Sequence, residues 1–259
     1  MKDPVVLIGI GEMGGVFARG LLRAGYPVFP ARRDDDLSTL AEALPSPALV
    51  LVAVGESDLH PVLERLPEAW KQRLGLLQNE LLPRDWQAHD ITEPTEISVW
   101  FEKKPGQDVK VLVPSPVHGP GAGILVEALE SLGIPALCID RKDDMLFELV
   151  RKNLYILTTN IAGLETGGTV KALWDDHSLL MNRVFDDVLK LQEHLTGQHF
   201  DRDRLLAAVL EAFDGDPDHR CMGRSAPARL QRALAIADQA GIEVPELRRI
   251  ARERLQKPD

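Results

Sequence analysis

Three features of the chain predict an α/β fold made of an N-terminal Rossmann-type domain over residues 1–141 and a C-terminal all-α domain over residues 142–259. A buried strand, a glycine-rich turn and a helix open the chain. Apolar runs of strand length then alternate with helical patterns as far as Asp140, and beyond it only helical periodicity remains.

The opening element is the apolar run Val5 to Ile10, which carries Gly9 and continues into Gly11 and Gly14 in G-x-G-x-x-G spacing. A helical pattern with Phe17, Leu21 and Leu22 follows and ends at Gly25. In such a turn the first two glycines let the backbone bend sharply and approach a pyrophosphate, and the third lets helix and strand pack closely. The helix N-terminus then offers free N–H groups and the positive end of its dipole to phosphate. Glu12 and Met13 lie inside the turn and are counted with the glycines as cofactor-contacting positions. A glycine turn without a ligand is the alternative, and it leaves the cluster of three unexplained. The spacing, with its flanking strand and helix, therefore predicts a dinucleotide-binding domain.

The second strand, Pro27 to Ala31, runs into Arg32, Arg33 and three aspartates. About 20 residues beyond the glycines an acid would hold the ribose 2′-OH of NAD, whereas an arginine suits the 2′-phosphate of NADP. Arg32 is best placed at the strand end, with Arg33 beside it, so NADP (as NADPH) is the expected cofactor. Asp34 keeps NAD open, and ARRDDD also reads as a solvated charge run capping the next short helix. The third strand, Ala48 to Val54, is a continuous apolar run of the kind buried in a parallel sheet, and Val54 at its end is a further cofactor-contacting position. A helix near Leu59 to Leu66 precedes a strand from Leu74 to Leu77, which runs into Gln78, Asn79 and Glu80. Ligands bind outside the carboxyl ends of such strands, so Asn79 falls where a nicotinamide or a substrate carbonyl can be reached. A plain turn asparagine is the competing reading.

Glu96 to Val113 holds two alternating segments, EISVWFEK and VKVLV, joined by a Pro-Gly turn, and SPVHGPGAG is expected as a loop. His118 in that loop is either a catalytic candidate or a structural histidine. A helix from Ile124 to Leu132 and a strand from Ile134 to Ile139 complete the domain. Helices are then expected over Asp143–Leu164, Leu173–His194, Arg202–Phe213, Ala226–Ala240 and Val244–Gln256, punctuated by glycines and Pro217. In the first of them Lys152, Ile156 and Asn160 fall at i, i+4 and i+8 and line one side. A lysine sharing that side is a candidate for facing a cleft; a surface lysine beside a buried amide is the alternative.

Composition narrows the partners. A formal net charge of −10 over 259 residues speaks against nucleic acid or an anionic membrane. No apolar run reaches the length of a membrane span, and no signal-peptide pattern precedes the first strand. Cys138 and Cys221 match no metal-ligand spacing, so no metal site and a reduced, cytoplasmic setting are expected.

Several stretches together carry a family resemblance: IGIGEMG at the start, the arginines after the second strand, LLQN ending at Asn79, ELVRKNLYILTTN from Glu148 to Asn160, and AGIEVPEL near the end. In these the chain resembles a short, divergent member of the ketopantoate reductase (2-dehydropantoate 2-reductase) family, within the wider 6-phosphogluconate dehydrogenase-like group. The resemblance implies a substrate cleft between the domains and hydride delivery from NADPH to a small-molecule substrate. It implies Lys152 as general acid toward the substrate carbonyl, Asn79 orienting substrate and cofactor, and Asn160 as a substrate-binding amide. Departures are evident too: a second family asparagine would fall at Ile156, the lysine usual after the third strand is Gly55, and Ser225 stands where the family has a substrate-binding glutamate. Losing that carboxylate should change which hydroxylated acid fits. Arg220 or Arg224 is then a candidate for holding a substrate carboxylate through its bidentate fork, with surface solvation as the alternative. The expected activity is an NADP-dependent reductase of a small 2-oxo acid or related carbonyl. An NADP-binding protein without catalysis, acting as a sensor or interaction partner, and a hydroxyacid dehydrogenase working oxidatively stay open. A homodimer through the helical domain is the candidate assembly.

Overall fold

The computed structural model describes residues 2–255; Met1 and residues 256–259, including the Gln256 at which the last helix was expected to end, lie outside the described residues. The chain divides into two compact units, one up to Leu149 and one from Val150.

The first unit runs β1 (Val5–Ile8), α1 (Glu12–Arg23), β2 (Val28–Ala31), α2 (Leu37–Ala43), β3 (Leu49–Val52), α3 (Leu59–Glu64), α4 (Glu68–Lys71), β4 (Leu74–Leu76) and α5 (Pro83–Gln87). It continues with β5 (Thr95–Ile97), the hairpin of β6 (Phe101–Glu102) and β7 (Lys110–Val111), β8 (Ser115–His118), α6 (Ala122–Glu130) and β9 (Ala136–Cys138). Among the described residues one sheet has the order β2-β1-β3-β4-β5-β8-β9, and β6 and β7 pair apart from it. The strands from β2 to β5 are mutually parallel; β8 and β9, parallel to each other, join antiparallel to β5. From β1 the chain goes to one side for β2 and returns on the other for β3. The strand order thus reverses at β1, the place where open α/β sheets bind ligands.

Burial explains the runs read as strands. Val5, Leu7, Leu49, Leu51, Ile97 and Val117 share one face with Val16, Phe17 and Leu21 of α1 and Leu125 and Leu129 of α6. Val6, Ile8, Val50 and Val52 alternate with them and are buried as well, so β1 and β3 are apolar throughout. Each fully buried aliphatic side chain contributes about 1.5–3 kcal/mol.

Two expectations change. SPVH is a strand rather than a loop, although it contains Pro116. Proline's missing donor lies on the β5 side, where Pro116 serves through its carbonyl by accepting from the Ser98 N–H at 3.0 Å, while β9 is held through Ser115 and Val117. EISVWFEK divides between two sheets: Trp100 leaves the main ladder, its N–H donating to the Ser115 hydroxyl at 2.9 Å and its carbonyl accepting from Leu112. The helices α4 and α5 are too short to show a periodicity.

The helix α7 (Lys142–Thr166) begins in the first unit and passes into the second. There follow α8 (Val170–Thr196), α9 (Arg202–Gly215), α10 (Ala226–Ala240) and α11 (Pro245–Arg254). Thr169 and Asp201 cap α8 and α9, and Gly197 and Gly241 close α8 and α10 in the left-handed conformation. The start of α11 is capped from a distance: the buried Asp187 carboxylate accepts from the N–H groups of Glu246 at 2.8 Å and Leu247 at 3.3 Å. Among the described residues no helix is long and apolar enough to cross a membrane.

Candidate functional site

Register aligns the candidate residues of the first unit. Ala31, Ile8, Val52 and Leu76 form one row across β2, β1, β3 and β4. The residues just past that row, Arg32, Gly9, Ala53 and Leu77, therefore leave the sheet along its carboxyl edge.

The three glycines of the turn differ in what surrounds them. Gly9 has φ +93°, and a Cβ on it would lie 2.7 Å from the Ala53 carbonyl oxygen and 3.0 Å from Val54 Cγ1, so the turn sits against the end of β3. A Cβ on Gly14 would lie 2.2 Å from the Gly9 carbonyl oxygen, so α1 packs on the turn backbone to backbone. Gly11 has an ordinary φ of −70° and open space where its Cβ would be. No atom of the chain crowds a Cβ at that position. Gly11 is also the N-cap and offers that helix no side-chain acceptor. Such a cradle suits an anion approaching the leading N–H groups. Met13 turns its side chain toward the core, leaving its backbone to face the turn.

Around this cradle stand the other candidates. Arg32 is exposed, and its side chain has no partner among the described residues. Arg33 donates to Asp58 at 3.0 Å. In the aspartate run Asp36 caps α2, accepting from the Thr39 hydroxyl and the Ser38 N–H, which together hold its carboxyl below the usual range. The charge run is thus partly a helix cap and partly an open arginine. Asn79 is exposed just past β4, next to Glu80 at a left-handed φ of +61°.

The residue beside it was not singled out from sequence. Gln78 is buried, donating to the carbonyls of Val52 at 2.7 Å and Val54 at 3.2 Å and accepting from the Leu77 N–H. It ties the ends of β3 and β4 together and so fixes both Val54 and the start of the Asn79 loop. Lys103 was missed as well: its ammonium lies 3.2 Å from the Glu12 carboxylate at the first residue of α1. His118 binds the Ile139 carbonyl through Nδ1 at 2.8 Å, which fits the structural reading. Its cross-strand neighbour Glu96 is only 4 % exposed. Burial pushes that carboxyl up to about 7, against an opposing pull from Lys142.

In the second unit, residues 151–163 of α7 are buried except Lys152 and Asn160. The side predicted from i, i+4, i+8 spacing is therefore the partly open one, with Ile156 buried between. The Lys152 ammonium lies 5.7 Å from the Tyr155 ring centroid. Asn160 is held at both ends of its amide: Oδ1 accepts from Arg229 at 2.9 Å and Nδ2 donates to the Cys221 carbonyl at 3.2 Å. Arg229 is buried on α10, one turn beyond Ser225. A signal for it existed, since it falls on the apolar face marked by Ala226, Leu230, Ala233 and Ala237. Ser225 itself is exposed at the start of α10 with no side-chain cap bond, and Arg220 and Arg224 are exposed. Cys221 is buried as a free thiol, and burial raises it to about 11. Among the described residues no cluster of His, Cys, Asp and Glu could hold a metal ion.

No protein-family model and no curated protein matches the chain. Solved structures do. A 2-dehydropantoate 2-reductase from Methylococcus capsulatus is 13 % identical with a TM-score of 0.70, the match covering 98 % of both chains. A ketopantoate reductase from Ralstonia eutropha JMP134 is 16 % identical with a TM-score of 0.65, over 98 % of this chain and 97 % of that one. A D-mandelate dehydrogenase solved with NADH and anilino(oxo)acetate is 14 % identical with a TM-score of 0.65, over 96 % of each. The chain has the fold of these reductases and dehydrogenases along nearly its whole length.

Proposed function

We propose that this chain is an NADP-dependent reductase of a small 2-oxo acid or a related carbonyl compound. The observation that carries the proposal is Gly11, a glycine that the fold does not need, standing over the start of α1 at the carboxyl edge of a parallel sheet where the strand order reverses. A nicotinamide dinucleotide, when bound, supplies a hydride to the substrate carbonyl carbon. The protein's own residues do the rest. The turn N–H groups from Gly11 to Gly14 hold the pyrophosphate, Arg32 takes the 2′-phosphate, and Val54 and Asn79 border the nicotinamide end. Lys152, partly open on a buried stretch of helix, stabilises the negative charge that grows on the carbonyl oxygen and donates a proton to it from Nζ. Asn160 is held by Arg229, the Cys221 carbonyl and the Thr159 hydroxyl, which fixes the direction in which its amide faces substrate.

The test is direct. Purified protein with NADPH should reduce one or more members of a broad 2-oxo acid panel, and NADPH should raise its melting temperature more than NADH does. Failure to turn over any member of the panel overturns the reductase reading.

A second reading is favoured by the exposed Ser225, where the family resemblance leads one to expect a buried carboxylate. It makes the chain a nucleotide-binding protein without catalysis, and tight NADPH binding without turnover decides for it. A hydroxyacid dehydrogenase would differ from the preferred reading in working oxidatively. The free thiols agree with a cytoplasmic setting. Pairing through the helical unit agrees with the exposed Leu179 on α8, and sedimentation would decide it.

A further inference from the structure

The glycine turn carries an electrostatic conflict, and the β6–β7 hairpin answers it. Glu12 is the first residue of α1, where a carboxylate is stabilised by the helix dipole. The same pole is where a pyrophosphate has to sit, so Glu12 and the phosphates compete for one positive end. Lys103, at the start of the hairpin loop, brings an ammonium to 3.2 Å from Glu12 Oε2. It does not swing freely. Its ammonium also donates to the carbonyls of Lys104 at 2.8 Å and Gln107 at 2.6 Å, within a turn closed by the Gln107 N–H on the Lys104 carbonyl at 3.1 Å. The hairpin in turn is pinned to α1, because Phe101 packs on Phe17 with ring centroids 6.2 Å apart and Val109 and Val111 pack against the same core. Three independent restraints thus hold one positive charge beside one negative charge at the mouth of the phosphate cradle.

We infer that Lys103 is a positioning residue for cofactor binding: it neutralises Glu12 so that the N-terminus of α1 can accept a pyrophosphate. The inference rests on the reading of the glycine turn as a nicotinamide-dinucleotide site. Without Lys103, the Glu12 carboxylate stands unopposed beside the incoming phosphates and weakens their binding. Without Glu12, no carboxylate is left to turn onto the leading N–H groups in competition with the phosphates, and the loss of Lys103 removes only its own screened attraction for them. Screening by salt weakens both effects, since both charges are partly exposed.

The experiment is a double-mutant cycle on the full chain, with NADPH dissociation constants measured by titration calorimetry for wild type, Lys103→Met, Glu12→Gln and the double variant, at low and at high salt. Lys103→Met should raise the dissociation constant about fivefold at low salt, the upper range for a partly exposed pair. In the Glu12→Gln background the same change should cost less than about twofold. Lys103→Arg should bind as wild type does, and cofactor-free melting temperatures should show that every variant is folded. Equal losses in the two backgrounds, or no loss from Lys103→Met, overturn the inference while leaving the cofactor site in place. A wild-type protein that binds no nicotinamide dinucleotide overturns the site itself, and the inference with it.

Discussion

The two units hold their candidate chemistry in different kinds of atoms. In the first unit the cradle is made of backbone: glycines, a helix N-terminus and strand ends aligned by register. In the second it is made of side chains on long helices, Lys152 and Asn160 on α7 and the buried Arg229 on α10. Backbone sites depend on where a side chain is missing, which a sequence displays. Side-chain sites depend on which partners the helices bring together, which a sequence conceals. The same difference should appear in mutants: changes in the first unit should act on cofactor affinity or on folding, and changes in the second on the chemical step.

The largest effect expected is at Lys152. Lys152→Ala should lower kcat by about 10²- to 10⁴-fold, the range for removing a general acid, with NADPH affinity unchanged. Single-turnover kinetics beside a cofactor titration measure both. If turnover survives, the partly open position of Lys152 on α7 has some other explanation and the side-chain half of the comparison breaks.

Within the backbone half, two glycines three residues apart should behave oppositely. Gly14→Ala places a Cβ 2.2 Å from the Gly9 carbonyl oxygen, backbone that cannot move without opening the turn, and should destabilise by about 1–3 kcal/mol or more. Gly11→Ala meets open space at an ordinary φ and should lower the melting temperature far less than Gly14→Ala does, by no more than the small cost of alanine at an N-cap. It should nevertheless weaken NADPH binding about tenfold or more, the size of one charge-assisted hydrogen bond lost to a displaced phosphate. A Gly11→Ala protein with full affinity would show that nothing approaches the helix there.

That contrast also explains how much the sequence disclosed. The strand, turn and helix at the start, the parallel strands and the run of later helices all follow from local periodicity and glycine spacing, which the fold obeys. SPVH was expected within a loop, and the strand it forms tolerates Pro116 because the missing donor faces β5, which the proline serves through its carbonyl, a fact of pairing that no local pattern encodes. Lys103 lies 91 positions from Glu12 in the chain, and only the packing of Phe101 on Phe17 brings the charges together. Arg229 was legible as a charged residue on an apolar helix face. Its pairing with Asn160, 69 positions away, was not. Arg32 was preferred to Arg33 from its place at the strand end, and the bond from Arg33 to Asp58 adds a distinction that the sequence does not display.

Glu96 offers a test that depends on neither cofactor nor substrate. Its carboxyl is buried between β4 and β8 and titrates near 7, mainly because burial disfavours the charged form. Lys142 opposes that shift, and His118 stands across the strand with its Nδ1 tied to Ile139. Since the folded chain holds this proton more tightly than the unfolded chain, stability is greatest below the ordinary glutamate range and falls as pH rises through about 7. The difference corresponds to about 3 kcal/mol once the group is fully ionised. Glu96→Gln should therefore match wild type near about pH 5 and exceed it near about pH 8 in chemical denaturation. Equal curves at both pH values would mean that water or Lys142 already solvates the carboxylate.

The smallest effect, and the one that sharpens the backbone half most, concerns the two arginines after β2. Arg33 donates to Asp58, so part of its charge is already spent, whereas the Arg32 side chain meets no partner among the described residues. An exposed guanidinium at a strand end costs little to leave in water, but it gains a bidentate anion contact if a 2′-phosphate arrives. Arg32→Ala should therefore reduce the preference for NADPH over NADH by about tenfold, the size of one charged hydrogen bond, and Arg33→Ala should reduce it less. Dissociation constants for both nucleotides are needed, because a charge run that merely caps α2 would lose affinity for the two equally. In that outcome Asp36 would be the functional member of the ARRDDD stretch, and the choice of cofactor would have to come from a residue beyond it.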